Sequence, residues 1–247
     1  MLSKKEQKLI KSLKIKKYRT REKRFLVEGT KNVLELLDSH FEIDLIIGTK
    51  TFSETYEGEI EPHRFETVSP GLLTQLGFLK TNDSVLAVAK MKPMRLSDAG
   101  LKDSIFVLDG VSDPGNLGTI IRTLDWFGFD KLICSLDSAD FYNPKTIAST
   151  MGSFTRVKVF YEELPVFLQK NSSFPIYITE MHGEAINTVE IAHPCIMVMG
   201  SESHGVSQEV ASQADKSISI PRIGDEAESL NVGVATGIIA SYLRILK

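Results

Sequence analysis

The sequence predicts an α/β protein in two parts: a small α/β domain over residues 1–92, a linker at 93–102, and a larger α/β domain over 103–247 built on a mostly parallel sheet. Three observations carry this. Beyond residue 103, short continuous apolar runs alternate with helical patterns, the pattern of a parallel sheet covered on both faces. Before residue 93 helices and strands also alternate. Between the two, "KMKPMRLSDAGLKD" is polar and is broken by Pro93 and Gly100.

In the first part, "KKEQKLIKSLKIKK" has helical spacing at Leu9 and Leu13, and "FLVEG" is a short strand ending in glycine. "TKNVLELLDSH" reads as a helix with Thr30 as its N-cap. "DLIIGTK", "RFETVS" and "SVLAVAK" read as strands, and "SPGLLTQLGFLK" as a helix with Pro70 in its first turn. In the second part, the strands are "IFVLDG", "KLICS", "VKVFY", "IYITE", "CIMVMG" and "KSISIP". Ligands of such sheets bind beyond the carboxyl ends of the strands. The loops after Asp109, Glu180, Gly200 and Pro221 are therefore the place to seek a site.

Composition narrows the class. The 247 residues are 42% hydrophobic and 25% charged, ordinary for a soluble globular protein. No apolar stretch approaches the roughly 20 residues that span a bilayer, and the charged N-terminus has no signal-peptide core. Cys134 and Cys195 each sit in an apolar run and read as buried free thiols, which fits a reducing cytoplasm. No Cys/His spacing resembles a metal site, so no metal is expected.

The net charge of −3 hides an asymmetry. Residues 1–31 hold twelve Lys/Arg and three acids, a net of +9, which leaves −12 on the remaining 216 residues. A basic arm on an acidic body points to a polyanion bound at one end: nucleic acid, or an anionic membrane surface. The densest part of that arm is Lys14, Lys16, Lys17, Arg19, Arg21, Lys23 and Arg24, and Tyr18 and Phe25 could offer stacking faces.

Three loops carry the chemistry. In "DGVSDPGNLGTIIRT", Asp113-Pro114-Gly115-Asn116 is turn chemistry. A helix is expected from Asn116 or Leu117, its free N–H groups able to hold an anion. Arg122 falls less than two turns along it, within reach of the loop. In "CIMVMGSESHGVS", two glycines surround Glu202, which suggests close backbone approach with a carboxylate aimed into a pocket. His204 in that loop could act as a base, although a histidine among glycines and serines is commonly just exposed. In "ISIPRIGDEAESLNVGVATGIIAS", Ser229 stands where an N-cap belongs, and Gly233 and Gly237 mark a helix that packs tightly against another backbone.

Together, Asn116-x-Gly118-x-x-x-Arg122-Thr123, Gly200-x-Glu202 with Gly205, and Ile220-Pro221 followed by Ser229-Leu230-Asn231-Val232 resemble the three motifs of the SpoU (TrmH) family of RNA ribose 2′-O-methyltransferases, of the SPOUT class. The likeness covers about residues 103–247. The N-terminal part is similar, more loosely, to the L30e-like substrate-binding domain of rRNA-type members. Ser201 and Ser203 depart from the usual Asn and Gly of the second motif.

The resemblance implies an α/β-knot fold with a deep trefoil knot, a homodimer with the site at its interface, and S-adenosylmethionine as cofactor. It implies cofactor binding at Thr179, Gly200, Ile220, Ser229 and Leu230, and catalytic positions at Arg122, Asn116, Glu202, Ser229 and Asn231. The implied substrate is RNA, most naturally rRNA, in the cytoplasm, with no membrane or metal involved. A tRNA enzyme, or an RNA-binding dimer without turnover, stands as the alternative.

Overall fold

A computed structural model describes residues 2–94, 96, 102–224, 226 and 228–245. Most of the linker expected at 93–102 lies outside the described residues. The chain forms two compact units, Met1–Pro93 with Asp140–Thr155, and Met94–Ala139 with Arg156–Lys247.

The first unit begins with helices α1 (Lys4–Ser12) and α2 (Lys16–Glu22). Ser3 and Glu6 form a reciprocal capping box at the start of α1. Strand β1 (Arg24–Glu28) leads to α3 (Thr30–Leu37), and β2 (Ile43–Gly48) to the short helices α4 (Lys50–Thr55) and α5 (Glu57–Ile60). Then come β3 (Phe65–Thr67), α6 (Pro70–Leu76) and β4 (Val85–Lys90). The sheet order is β1-β4-β2-β3, antiparallel except for β2 with β3. The expected N-cap at Thr30 is displaced by one residue. Gly29 caps α3 at φ +85°, and the Thr30 hydroxyl lies 3.0 Å from Ser84 Oγ instead.

The basic N-terminus is not a loose arm. Ile10 and Leu13 are fully buried and share one core with Leu26, Ile47, Leu73 and Leu86. Arg19, expected among the RNA contacts, is 2% exposed. Its Nη1 donates to the Leu13 carbonyl at 2.9 Å and its Nη2 to Asp140 Oδ2 at 2.6 Å. Phe25 offers no stacking face either. It is buried in an aromatic cluster with Phe41, Tyr142 and Phe154, at centroid distances of 5.5, 4.7 and 6.2 Å.

These contacts explain a departure from the expected division. Residues 140–155, read as part of the second domain, pack into the first unit. The segment carries α8 (Pro144–Thr150), capped by Asn143, and its aromatic residues fill the core beside β1.

The second unit runs β5 (Ile105–Asp109), α7 (Pro114–Trp126), β6 (Lys131–Ser135), β7 (Lys158–Glu162), α9 (Leu164–Lys170), β8 (Ile176–Ala185), β9 (Ile196–Gly200), α10 (Gln208–Ala211), β10 (Lys216–Ser219) and α11 (Val232–Arg244). All six expected strands are present in one parallel sheet, ordered β10-β8-β9-β5-β6-β7. Cys134 and Cys195 are buried thiols that form no disulfide, and burial pushes the Cys134 thiol well above its ordinary value. Strand β8 runs five residues past its expected end at Glu180. Its register with β10 jumps from Ile178 to Glu184, so residues 179–183 bulge. Ser217 Oγ donates to Glu180 Oε2 at 2.6 Å and Ser219 Oγ to the Gly183 carbonyl at 2.8 Å, which holds the bulge against β10.

The Arg19–Asp140 pair yields a stability test. Removing one partner of a buried ion pair costs about 3–5 kcal/mol, whereas replacing both with apolar residues of similar size is often neutral. Urea unfolding should show Asp140→Ala strongly destabilised and the double variant Arg19→Met, Asp140→Leu close to the parent. A cost below about 1 kcal/mol for Asp140→Ala would show that the pair does not anchor the segment.

Candidate functional site

The loop after β5 and the start of α7 build the first side of the site. Asp113-Pro114, read as turn chemistry, is in fact the beginning of the helix: Asp113 is its N-cap, accepting from the Asn116 amide at 2.9 Å, and Pro114 occupies the first helical position. The helix therefore starts earlier than expected, and Asn116 sits in its first turn. Arg122 lies on the exposed face of α7 and makes no hydrogen bond or ion pair among the described residues.

The loop after β9 builds the second side. Ser201 and Gly205 exchange backbone hydrogen bonds at 3.0 and 2.9 Å, closing a tight turn around Glu202. A Cβ on Gly200 would lie 2.2 Å from the Gly205 carbonyl carbon, so only glycine fits there. The two serines that depart from the family pattern support this turn. Ser201 Oγ accepts from the His204 amide at 3.2 Å, and Ser203 Oγ lies 2.7 Å from His204 Nδ1. His204 is thereby bound within its own exposed loop. Asp109, at the end of β5, accepts from the Ser207 amide at 2.7 Å and pins the far end of the turn. This role was not foreseen; the only sequence signal was its place at a strand's carboxyl end.

The start of α11 builds the third side. Asn231, rather than Ser229, is the N-cap, its Oδ1 accepting from the amides of Gly233 at 2.9 Å and Val234 at 3.4 Å. Its Nδ2 donates to Asn116 Oδ1 at 3.0 Å. Asn116 Nδ2 in turn donates to Glu202 Oε1. One chain of hydrogen bonds thus joins all three motifs. The cap fixes the orientation of Asn231, Asn231 fixes that of Asn116, and Asn116 presents its N–H to the carboxylate.

Ser229 lies exposed two residues before the cap, and Leu230 is 47% exposed beside it. Thr179 marks the point where β8 leaves β9, its hydroxyl donating to the Val198 carbonyl at 3.2 Å. Gly200 is the last residue of β9, and Ile220 follows the carboxyl end of β10. Thr179, Gly200 and Ile220 therefore share one end of the sheet. Outside helices and strands, no backbone–backbone hydrogen bond among the described residues engages 220–224, 226 or 228–230. Within that loop the Gly224 carbonyl accepts from Arg222 Nε.

In the first unit, Lys16, Lys17, Arg21 and Lys23 are exposed, Lys14 is half-buried, and the Arg21 guanidinium lies 4.9 Å from the Tyr18 ring centroid. Arg24 is drawn into a half-buried pair with Asp44. Among the described residues, no helix is long and apolar enough to cross a membrane, and no group of three His, Cys, Asp or Glu could hold a metal ion.

Residues 4–87 match the MRM3-like substrate binding domain, and residues 103–241 the SpoU rRNA Methylase family. Over 239 residues the chain is 30% identical to the 23S rRNA (guanosine(2553)-2′-O)-methyltransferase RlmP of Bacillus subtilis, covering 95% of this chain and 94% of the relative. It is 27% identical over 245 residues to a 23S rRNA (uridine(2479)-2′-O)-methyltransferase of Streptomyces viridochromogenes, covering 92% and 84%. The crystal structure of an AdoMet-bound rRNA methyltransferase from Sinorhizobium meliloti superposes with a TM-score of 0.85 at 27% identity, covering 100% of this chain and 97% of that one. With its second unit matched from residue 103 to 241 and its three motifs joined in one hydrogen-bonded chain, the protein belongs to the SpoU rRNA methylase family.

Proposed function

We propose that the protein transfers a methyl group from S-adenosylmethionine to a ribose 2′-hydroxyl of ribosomal RNA. The observation that carries this reading is the hydrogen-bonded union of Asn231, Asn116 and Glu202 on the helix that also bears the unengaged Arg122. The proposed substrate puts the enzyme in the cytoplasm, where ribosomal RNA is made.

The exposed Ser229 hydroxyl and the half-exposed Leu230 beside it suit a cofactor that has both polar edges and apolar surface. Thr179, Gly200, Ile220, Ser229 and Leu230 would hold S-adenosylmethionine. When bound, it supplies a methyl group made electrophilic by its sulfonium.

The protein's own task is to place the hydroxyl and manage its charge. A guanidinium offers N–H donors and no acceptor, so Arg122 is not the proton acceptor. It grips the phosphate of the target nucleotide and stabilises the alkoxide that develops on the 2′-oxygen. Glu202 Oε1 is taken by Asn116, while Oε2 makes no hydrogen bond among the described residues and is open to the hydroxyl proton. Asn116 and Asn231 hold that carboxylate in place. The exposed Ser229 hydroxyl helps orient the ribose. Much of the rate gain is then positional.

The basic surface of the first unit, chiefly Lys14, Lys16, Lys17, Arg21 and Lys23, supplies RNA affinity through phosphate contacts. The enzyme is a homodimer. On α7, Arg122 and Trp126 lie on an exposed face, and Trp126 is 84% exposed; on α11, Val234 and Ile238 are exposed one turn apart. Large apolar side chains left bare in this way call for a covering surface, and a second copy of the same face supplies one.

Three measurements test these readings. Purified protein with methyl-labelled S-adenosylmethionine and separate unmodified rRNA and tRNA pools should label 2′-O-methylnucleosides in rRNA. Label confined to tRNA would overturn the rRNA assignment. In the same assay Arg122→Lys should lose about 100-fold or more in kcat while keeping cofactor affinity, because the charge remains but the planar fork is gone. Near-normal turnover would refute the role given to Arg122. Second, Lys16→Ala with Lys17→Ala should flatten the salt dependence of rRNA binding by roughly 1.4 in log–log slope, about 0.7 per lost contact. An unchanged slope would remove these lysines from the interface. Third, Trp126→Lys should sediment as a monomer where the parent sediments as a dimer. A dimeric variant would move the interface elsewhere.

A further inference from the structure

The first unit buries a carboxylate that neither the fold nor the proposed chemistry requires. Glu28, at the end of β1, is 3% exposed. It forms no ion pair among the described residues. Its Oε1 accepts from the Phe78 amide at 2.7 Å and its Oε2 from the Leu79 amide at 3.0 Å. A Cβ on Gly77 would stand 2.5 Å from Oε2, so the loop closes onto the carboxylate with no room for a side chain at that position. Withdrawing an ionised carboxylate from water is expensive unless hydrogen bonds replace the lost solvent. Here both replacements are amides of a single loop, and hydrogen bonds to a charged acceptor are about twice as strong as neutral ones. The outcome is a surface loop clamped at two successive residues from beneath.

What the clamp displays is an aromatic ring. Phe78 is 43% exposed although its own amide is fixed to a buried group. Gly77, Leu73 and Leu76 around it are buried, so the ring stands out from a rigid base, and Lys80 lies exposed two residues on. A lone exposed phenylalanine is unremarkable. One whose backbone is anchored by a dedicated buried charge, beside a cation, has the makings of a stacking platform. Every nucleobase has a π face, and binding to a preformed ring loses little entropy.

We propose that Phe78 stacks an unpaired base of the RNA substrate, with Lys80 on the adjoining phosphate. This rests on the proposed RNA substrate and adds to it a second point of attachment, apart from the basic surface of α1 and α2. It also gives the enzyme a preference for RNA with an unpaired nucleotide.

Filter binding of a 23S rRNA transcript to the full-length protein tests it, beside the methylation assay. Phe78→Ala should weaken binding about 10-fold and raise KM for RNA in proportion, leaving kcat and cofactor affinity within twofold. Phe78→Trp should bind as well as the parent or better. Phe78→Leu, apolar but not planar, should behave like the alanine variant. Parent-like binding by Phe78→Ala or by Phe78→Leu would overturn the stacking role, the first by showing no contact and the second by showing simple apolar packing. If the parent itself fails to bind the transcript, the rRNA substrate falls and the stacking site with it. If the parent binds but does not methylate while Phe78→Ala binds weakly, the site stands and the catalytic reading fails.

Discussion

How closely α7 and α11 can approach sets the geometry of the second unit. A Cβ on Gly233 would lie 3.2 Å from Thr119 Cγ2, and one on Gly237 3.5 Å from Thr123 Cγ2. Two glycines one turn apart thus let a threonine-bearing face of α7 lie against the backbone of α11. The Asn231–Asn116 hydrogen bond sits at the N-terminal end of that contact, and it forms only if both helices begin at the right depth. A side chain at 233 would press on Thr119 Cγ2 and Asn231 Oδ1 and disturb the chain that reaches Glu202. The glycines and the asparagines are therefore one device: close packing brings the polar groups together, and the polar groups fix where each helix starts.

Much of this was legible in the sequence, and the misses share a cause. The ten strands were readable because apolar runs of strand length bounded by glycine or polar residues have few other uses. Asp113-Pro114 was misread because an aspartate followed by proline opens a type I turn and a helix with equal ease. Ser229 and Asn231 are both able to cap, and local chemistry does not choose between them. The choice falls to Asn231 because its amide also meets Asn116, 115 residues away. Arg19 looked like its basic neighbours because the partner that buries it, Asp140, lies 121 residues on. The motif positions could be named in advance, but not the bonds among them, since periodicity carries no information about pairs distant in the chain.

The same limit explains the basic N-terminus. Its charge suggested an appendage, yet α1 buries Ile10 and α2 buries Arg19 while their lysines face solvent. Ile10 and Leu13 belong to the core, while Lys16, Lys17, Arg21 and Lys23 remain in solvent. A charged surface mounted on a packed helix keeps its cations at fixed spacing, as recognition of a folded polyanion requires and a disordered tail does not provide.

The exchange of residues 140–155 has a consequence for how such a protein can be taken apart or inherited. The chain passes between its two units three times, near residues 93, 139 and 155. No single cut separates them. Removing everything before residue 103 would strip Phe25 and Phe41 from Tyr142 and Phe154, and would leave Asp140 without Arg19. The first unit is thus not a module strung in front of the second. Its aromatic core is completed by its own residues 140–155, which lie in the chain between two stretches of the second unit, so a lineage that discarded the first ninety residues would have to rewrite that segment in the same step.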